Sequence, residues 1–292
     1  MLTLDQWKNN GSNFEYNGHR IFYVDEGTGD ALVCVHGFPT ASWDWALLWP
    51  RLAQRFRVIA PDMIGFGFSA KPRNYAYSIL DQATLHESLL QSLGVTSAHI
   101  LAHDYGDTVA QELLARYKDR RIAGEAGLHI KSVCLLNGGI FPSEHRPRLI
   151  QRLLASPVGA LVSALMSERK FHRSFSEIFG PNTRPTADQL AEFWRLISHN
   201  NGARVMHKLI HYMGERVTYS DRWVGALTEC PVPLCFINGP EDPISGRHMA
   251  ETYRRLVPDP RVVLLEGIGH YPQVEAPQQV LDAYFGFLDA IG

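Results

Sequence analysis

Asp104 is the residue whose setting most constrains the chemistry open to this 292-residue chain. It stands at the centre of Ala102-His103-Asp104-Tyr105-Gly106. An apolar run ending in Ile100-Leu101 precedes it, and a pattern placing Val109, Leu113, Leu114 and Tyr117 on one helical face follows. Small residues flanking such a turn let strand and helix approach closely, and the central side chain is pushed up as a nucleophile at the C-terminal edge of the sheet. A serine in that place needs a base to take its proton. An aspartate, with an ordinary pKa of about 3.9, is already an anion at neutral pH. Its attack on an ester or amide carbonyl would give a mixed anhydride, more energetic than the starting acyl group. Its attack on a saturated carbon bearing a leaving group gives an ordinary alkyl ester. The residue type therefore favours displacement at sp³ carbon over esterase or lipase chemistry.

Three other segments fall where such a nucleophile needs them. His36-Gly37-Phe38-Pro39 follows the apolar run 31–35 directly, so the backbone N–H groups of Phe38 and Tyr105 are the expected oxyanion hole. Asn238-Gly239-Pro240-Glu241-Asp242-Pro243 places carboxylates just past a strand, and Gly267-Ile268-Gly269-His270 places a histidine in a loop past the last one. The order is nucleophile, acid, histidine. In this reading His270 activates the water that hydrolyses the ester at the carboxyl carbon of Asp104, and an acidic partner orients the imidazole. Asp107, in the first turn of the helix after Asp104, reads as a charge favourable to a helix N-terminus.

The elements that must position these residues are legible as well. Residues 14–16 and 19–24, joined by Asn17-Gly18, read as a hairpin. Apolar runs at 31–35, 57–60, 99–102, 132–136, 234–238 and 262–265 alternate with helical patterns, which predicts a mostly parallel eight-stranded sheet with helices on both faces. Strand signals vanish between 141 and 228. The expected organisation is an α/β core of residues 1–140 and 229–292, with a helical cap of residues 141–228 inserted after strand 6. Gly65-Phe66-Gly67-Phe68-Ser69 lacks dinucleotide-loop spacing and reads as a tight turn.

Composition narrows the function classes. A net charge of −2 gives no electrostatic reason to expect nucleic acid, and 45% hydrophobic with 20% charged residues suits a globular protein. Cys34, Cys134, Cys230 and Cys235 form no CxxC pair, so neither a metal nor a redox framework is expected. The first residues show no leader pattern, and the most apolar helical window, 155–166, is too short to span a bilayer. A cytoplasmic location, no cofactor, a small-molecule substrate and a monomer or homodimer are the expectations. The basic residues of the cap (Arg146, Arg148, Arg152, Arg169, Lys170 and Arg173) read as a solvated face.

On these motifs the chain, from about Gly18 onward, resembles the α/β-hydrolases of the epoxide hydrolase and haloalkane dehalogenase branch, which carry an Asp nucleophile. His103-Asp104-Tyr105-Gly106-Asp107, Leu136-Asn137-Gly138-Gly139-Ile140-Phe141-Pro142, Phe179-Gly180-Pro181, Arg222-Trp223-Val224-Gly225-Ala226-Leu227 and His270-Tyr271-Pro272-Gln273 are similar to the mesoderm-specific transcript proteins, hydrolase-fold proteins whose vertebrate members carry an N-terminal hydrophobic segment. The resemblance implies an Asp104–His270–Asp242 triad, with Asp242 preferred to Glu241 on its Gly-x-x-Asp-Pro pattern. Dehalogenases put Trp after the nucleophile and often Asn or Trp after His-Gly. Tyr105 and Phe38 stand there instead, leaving Trp194 or Trp223 as halide donors. Epoxide hydrolases protonate the leaving oxygen with two cap tyrosines. Tyr212 matches the second, and His145, His172 or His207 is the substitute for the first. Trp194 and His36 are expected in the substrate pocket. An epoxide hydrolase-like enzyme is the first reading, a haloalkane dehalogenase-like one the second, and a non-catalytic ligand-binding or scaffold protein the third.

Overall fold

The computed structural model describes residues 2–292. Its strands are β1 (Ser12–Tyr16), β2 (His19–Glu26), β3 (Ala31–Val35), β4 (Arg57–Pro61), β5 (Ser97–His103), β6 (His129–Leu136), β7 (Leu234–Asn238) and β8 (Val262–Leu264). They form one sheet in the order β1-β2-β4-β3-β5-β6-β7-β8. The β1–β2 and β2–β4 pairs are antiparallel and all others parallel. Asn17 and Gly18 close the first hairpin with φ of 50° and 74°, the backbone that a tight turn matched to strand twist requires. β3 and β7, read from unbroken apolar runs, are buried at every position. β5 and β6 run two to three residues further toward their N-termini than their apolar runs do, because backbone ladder bonds recruit Ser97, His129 and Lys131 without needing apolar side chains.

Register decides the rest. Val35 pairs with Ala102, His103 with Leu136, Leu136 with Ile237, and Asn238 with Leu264. The C-terminal ends of β3, β5, β6, β7 and β8 are therefore level, and the loops that leave them meet on one edge. β3 lies between β4 and β5, so the connections β3-to-β4 and β4-to-β5 run in opposite directions across the sheet and open a crevice at that edge.

Between residues 141 and 228 the described residues form helices and no strand, among them Leu149–Leu154, Gly159–Ala164, Glu168–Ser176, Ala187–Ser198, Tyr212–Thr218 and Ser220–Thr228. Thr186 starts the longest of these with a reciprocal cap to Gln189. Ser220–Thr228 lies against the helix Tyr105–Ala123. Trp223 donates its indole N–H to Glu112 at 2.8 Å, and Arg222 Nε donates to the same carboxylate at 2.8 Å. Trp223 is thus a buried packing residue with its only donor committed, which removes it as a halide ligand.

Candidate active site

The turn after β5 holds Asp104 at φ 48°, ψ −104°, a backbone conformation that costs a non-glycine residue about 1–3 kcal/mol. Tight packing makes it persist. A Cβ on Gly106 would collide with the carbonyl oxygens of Val35 and His36, so the helix can start this close to β3 only with glycine there. His103 donates from Nε2 to the carbonyl of His270 at 2.7 Å, tying the elbow to the histidine loop.

The Asp104 side chain is buried. Its Oδ2 accepts from the Phe38 N–H at 3.2 Å and lies 3.9 Å from His270 Nε2. Nδ1 of His270 is 2.7 Å from Oδ2 of Asp242. Asp242 also accepts from Asn137 Nδ2 at 3.0 Å, Ser245 Oγ at 2.8 Å and the Ile244 N–H at 2.7 Å. Glu241 is exposed, whereas Asp242 is buried against His270. Tyr105 opens the helix, where a backbone N–H has no intrahelical acceptor.

Charge in this buried cluster is strongly coupled. Burial by itself pushes the Asp104 carboxyl up, but the His270 and Arg216 cations hold it below the usual carboxylate range. Asp242 is likewise pushed up by burial and brought below its ordinary value by His270 and its hydrogen-bond donors. Burial lowers His270, yet the two carboxylates beside it win and raise it to about 10. At neutral pH the cluster is an imidazolium between two carboxylates. Asp107 is fully buried and accepts from the Leu136 N–H at 3.3 Å, and burial raises its pKa well above the ordinary value.

Sequence reasoning missed Arg216. It sits one turn after Tyr212, almost wholly buried, and donates from Nη2 to the Asp104 carbonyl at 2.9 Å and from Nε to Thr108 Oγ1 at 2.7 Å. Nη2 is also 3.6 Å from Asp104 Oδ1. The i, i+4 spacing from Tyr212 was the available signal. Asn137 and Ser245, which hold Asp242, were likewise unassigned.

Tyr212 packs against Phe38 and Tyr105 and is not among the residues that line the cavity over Asp104. Its ring centroid is 4.8 Å from that of Tyr105 and 6.1 Å from that of Phe38, and the Arg216 guanidinium lies 4.5 Å over it. Its hydroxyl is buried with no partner among the described residues, and burial, reinforced by the Asp104 charge, raises its pKa. Of the three histidines offered as a second donor, His145 comes nearest. It abuts Gly139 beside Arg216, its Nε2 has no partner among the described residues, and burial followed by the Arg216 charge lowers it to about 3. His172 instead faces Glu168 at 3.6 Å. The backbone N–H of His207 donates to Ser163.

A cavity opens above Asp104 and His270, walled by Phe38 and Ile244 and roofed by Leu154, Met166, Phe171 and Phe175 from the inserted helices. Two expected lining residues are not there. His36 is fully buried behind the loop, donating from Nδ1 to Gly37 O at 2.8 Å and accepting from the Met63 N–H at 3.0 Å. Both ring nitrogens brace backbone, and its pKa falls to about 4 through burial. Trp194 stands one layer out, its ring 5.7 Å from that of Phe171, which does line the cavity. Among the described residues no cluster of His, Cys, Asp and Glu could hold a metal, and no helix is long and apolar enough to cross a membrane.

This sheet, elbow and catalytic edge define the class. Residues 30–277 match the alpha/beta hydrolase fold family, and the chain belongs to it. The chain is 46% identical over 299 aligned residues to the mesoderm-specific transcript protein of Mus musculus, covering 99% of this chain and 88% of that one. Among solved structures it is similar to the epoxide hydrolase CorEH without ligand, at TM-score 0.77 and 22% identity, over 97% of this chain and 99% of that one. It is also similar to the haloalkane dehalogenase DbeA of Bradyrhizobium elkani USDA94, at TM-score 0.79 and 22% identity, over 96% and 98%. At such identities the two structures speak to the fold.

Proposed function

We propose that this hydrolase opens a small apolar electrophile, an epoxide before an organohalide, through a covalent ester on Asp104. The observation that carries the reading is the carboxylate at the elbow, 3.2 Å from the Phe38 N–H and 3.9 Å from His270 Nε2. Asp104 attacks the saturated carbon, and the C–O bond to the leaving oxygen breaks. Tyr212 gives that oxygen its proton. Its phenol is held protonated by burial and by the Asp104 charge, and alkylation removes that charge as the proton is required.

The same event switches His270. Between two carboxylates it is cationic and no base. Esterification deletes one of the two anions, so its pKa falls and Nε2 becomes free to take a proton from water. That water attacks the Asp104 carboxyl carbon. The Phe38 and Tyr105 N–H groups hold the oxyanion, each donor worth about 3 kcal/mol of barrier. The bond between the Asp104 carboxyl carbon and the ester oxygen then breaks. That oxygen leaves on the substrate carbon, takes the proton from His270 and completes the diol. The water oxygen stays in the Asp104 carboxylate, and Tyr212 regains its proton from the water's second one through solvent. Asp242, fixed by Asn137, Ser245 and Ile244, orients the imidazole throughout.

Epoxide is preferred to halide because the donors beside Asp104 suit an alkoxide. Tyr212 packs against Phe38 and Tyr105 with its hydroxyl uncommitted among the described residues, whereas the indole of Trp223 is committed to Glu112 and Trp194 stands one layer out against Phe171. Turnover of an aryl epoxide in ¹⁸O-water tests the route. Label is expected in the Asp104 carboxyl group, found by peptide mass mapping. Label in the diol alone, from the first turnover on, would mean direct attack by water and would remove the ester.

A further inference from the structure

The helices Leu149–Leu154 and Gly159–Ala164 turn apolar side chains to both sides. Ile150 and Leu154 face the cavity, while Leu149, Leu153, Val158, Leu161 and Leu165 lie in solvent, each between 38% and 72% exposed. The only other large apolar side chains so exposed among the described residues are Ile122, Val217 and Leu256, scattered singly. Leu149 and Leu153, and again Leu161 and Leu165, are one turn apart, so each pair shares a helical face. An apolar patch of this kind marks a surface that meets something.

The surroundings say what. From Glu144 to Arg173 the chain carries six Arg and Lys against two Glu, in a protein whose net charge is −2. Arg148 and Arg173 are paired with Glu177. Arg146, Arg152 and Arg169 are exposed and have no ion-pair partner among the described residues. A second copy docked about a two-fold axis would set this cationic rim against itself. An anionic lipid surface satisfies both features, accepting leucines at the acyl boundary and arginines at the headgroups.

We propose that the face formed by Leu149–Leu154 and Gly159–Ala164 docks this protein on an anionic bilayer surface, lying on the membrane without crossing it. Leu149 and Leu153 then share one short helix with Ile150 and Leu154 of the cavity lining. An apolar substrate dissolved in the bilayer has only that helix to pass. This last consequence rests on the proposed reaction; the docking does not.

Flotation of the full chain with phosphatidylcholine vesicles, with and without phosphatidylserine, tests the proposal. The natural protein is expected to float with the serine-containing vesicles. Replacing the cations Arg152→Gln and Arg169→Gln should weaken that binding roughly 25-fold, at about fivefold per cation near an anionic surface. The pair Leu161→Glu and Leu165→Glu should weaken it at least about 100-fold by removing two buried leucines from the interface. All four positions are exposed, and thermal unfolding verifies that the variants fold. Asp104→Asn protein should bind as the natural chain does, so loss of the catalytic reading and loss of this one are separable. A natural chain that floats with no vesicle, or leucine variants that bind unchanged, would overturn the proposal. So would light scattering that shows a dimer broken by Leu161→Glu in a chain that ignores lipid, which would make the face a contact between copies.

Discussion

His270→Gln separates the two halves of the reaction. Alkylation needs no base, because Asp104 is already an anion held below the usual carboxylate range. Hydrolysis of the ester needs one, and His270 is the side chain whose Nε2 faces the Asp104 carboxyl, at 3.9 Å. Gln keeps the size and one polar end and cannot take a proton. Loss of a positioned base costs about 10²–10⁴-fold, and 10³ is taken here. If both steps run at equal rates in the natural protein, about half of it carries ester during turnover. A thousandfold slower hydrolysis raises that fraction to about 99.9%, and a simultaneous tenfold loss in alkylation still leaves about 99%. Intact-mass spectrometry minutes after adding styrene oxide should therefore show nearly stoichiometric addition of one substrate mass, mapped to the peptide containing Asp104. Unmodified protein with an epoxide that the natural enzyme turns over, or an adduct on another residue, would refute the assignment of nucleophile and base together.

Tyr212→Phe removes one buried, unpartnered hydroxyl and should slow alkylation by an epoxide about 100-fold while leaving ester hydrolysis unchanged, as pre-steady-state kinetics would resolve. An unaltered alkylation rate would take Tyr212 out of the mechanism, and bromoalkane turnover that survives it would favour a halide. The charge cluster also makes stability depend on pH. His270 is raised in the folded state, so its contribution is complete below the unfolded value of about 6.5 and is lost as pH climbs toward about 10. Asp104 and Asp242 are lowered, so theirs is present above about 3.8 and lost on acidification. The unfolding free energy from urea titrations should fall between pH 7 and pH 10, by at most about 1.4 kcal/mol per pH unit for this one proton. The His270→Gln protein should lose that slope; a slope that persists there belongs to another group.

Much of this protein could be read from residue order. The strands β3 and β7 coincide with their apolar runs because parallel strands covered on both faces leave no room for polar interruptions. Asp104 was legible because an elbow tolerates only small neighbours, and a residue type alone tells carboxylate from hydroxyl chemistry. Other features waited on register and packing. The meeting of Phe38, Asp104, Asp242 and His270 depends on strand ends being level, a relation between segments up to 232 residues apart that no local pattern records. His36 has the position of a pocket residue, yet its two nitrogens are taken by backbone that only the folded loop brings near. Arg216 looks in sequence like any solvated helix cation. Burial against Thr108 and the Asp104 carbonyl turns it into part of the site, because a charge removed from water acts over its neighbours far more strongly than one left in it.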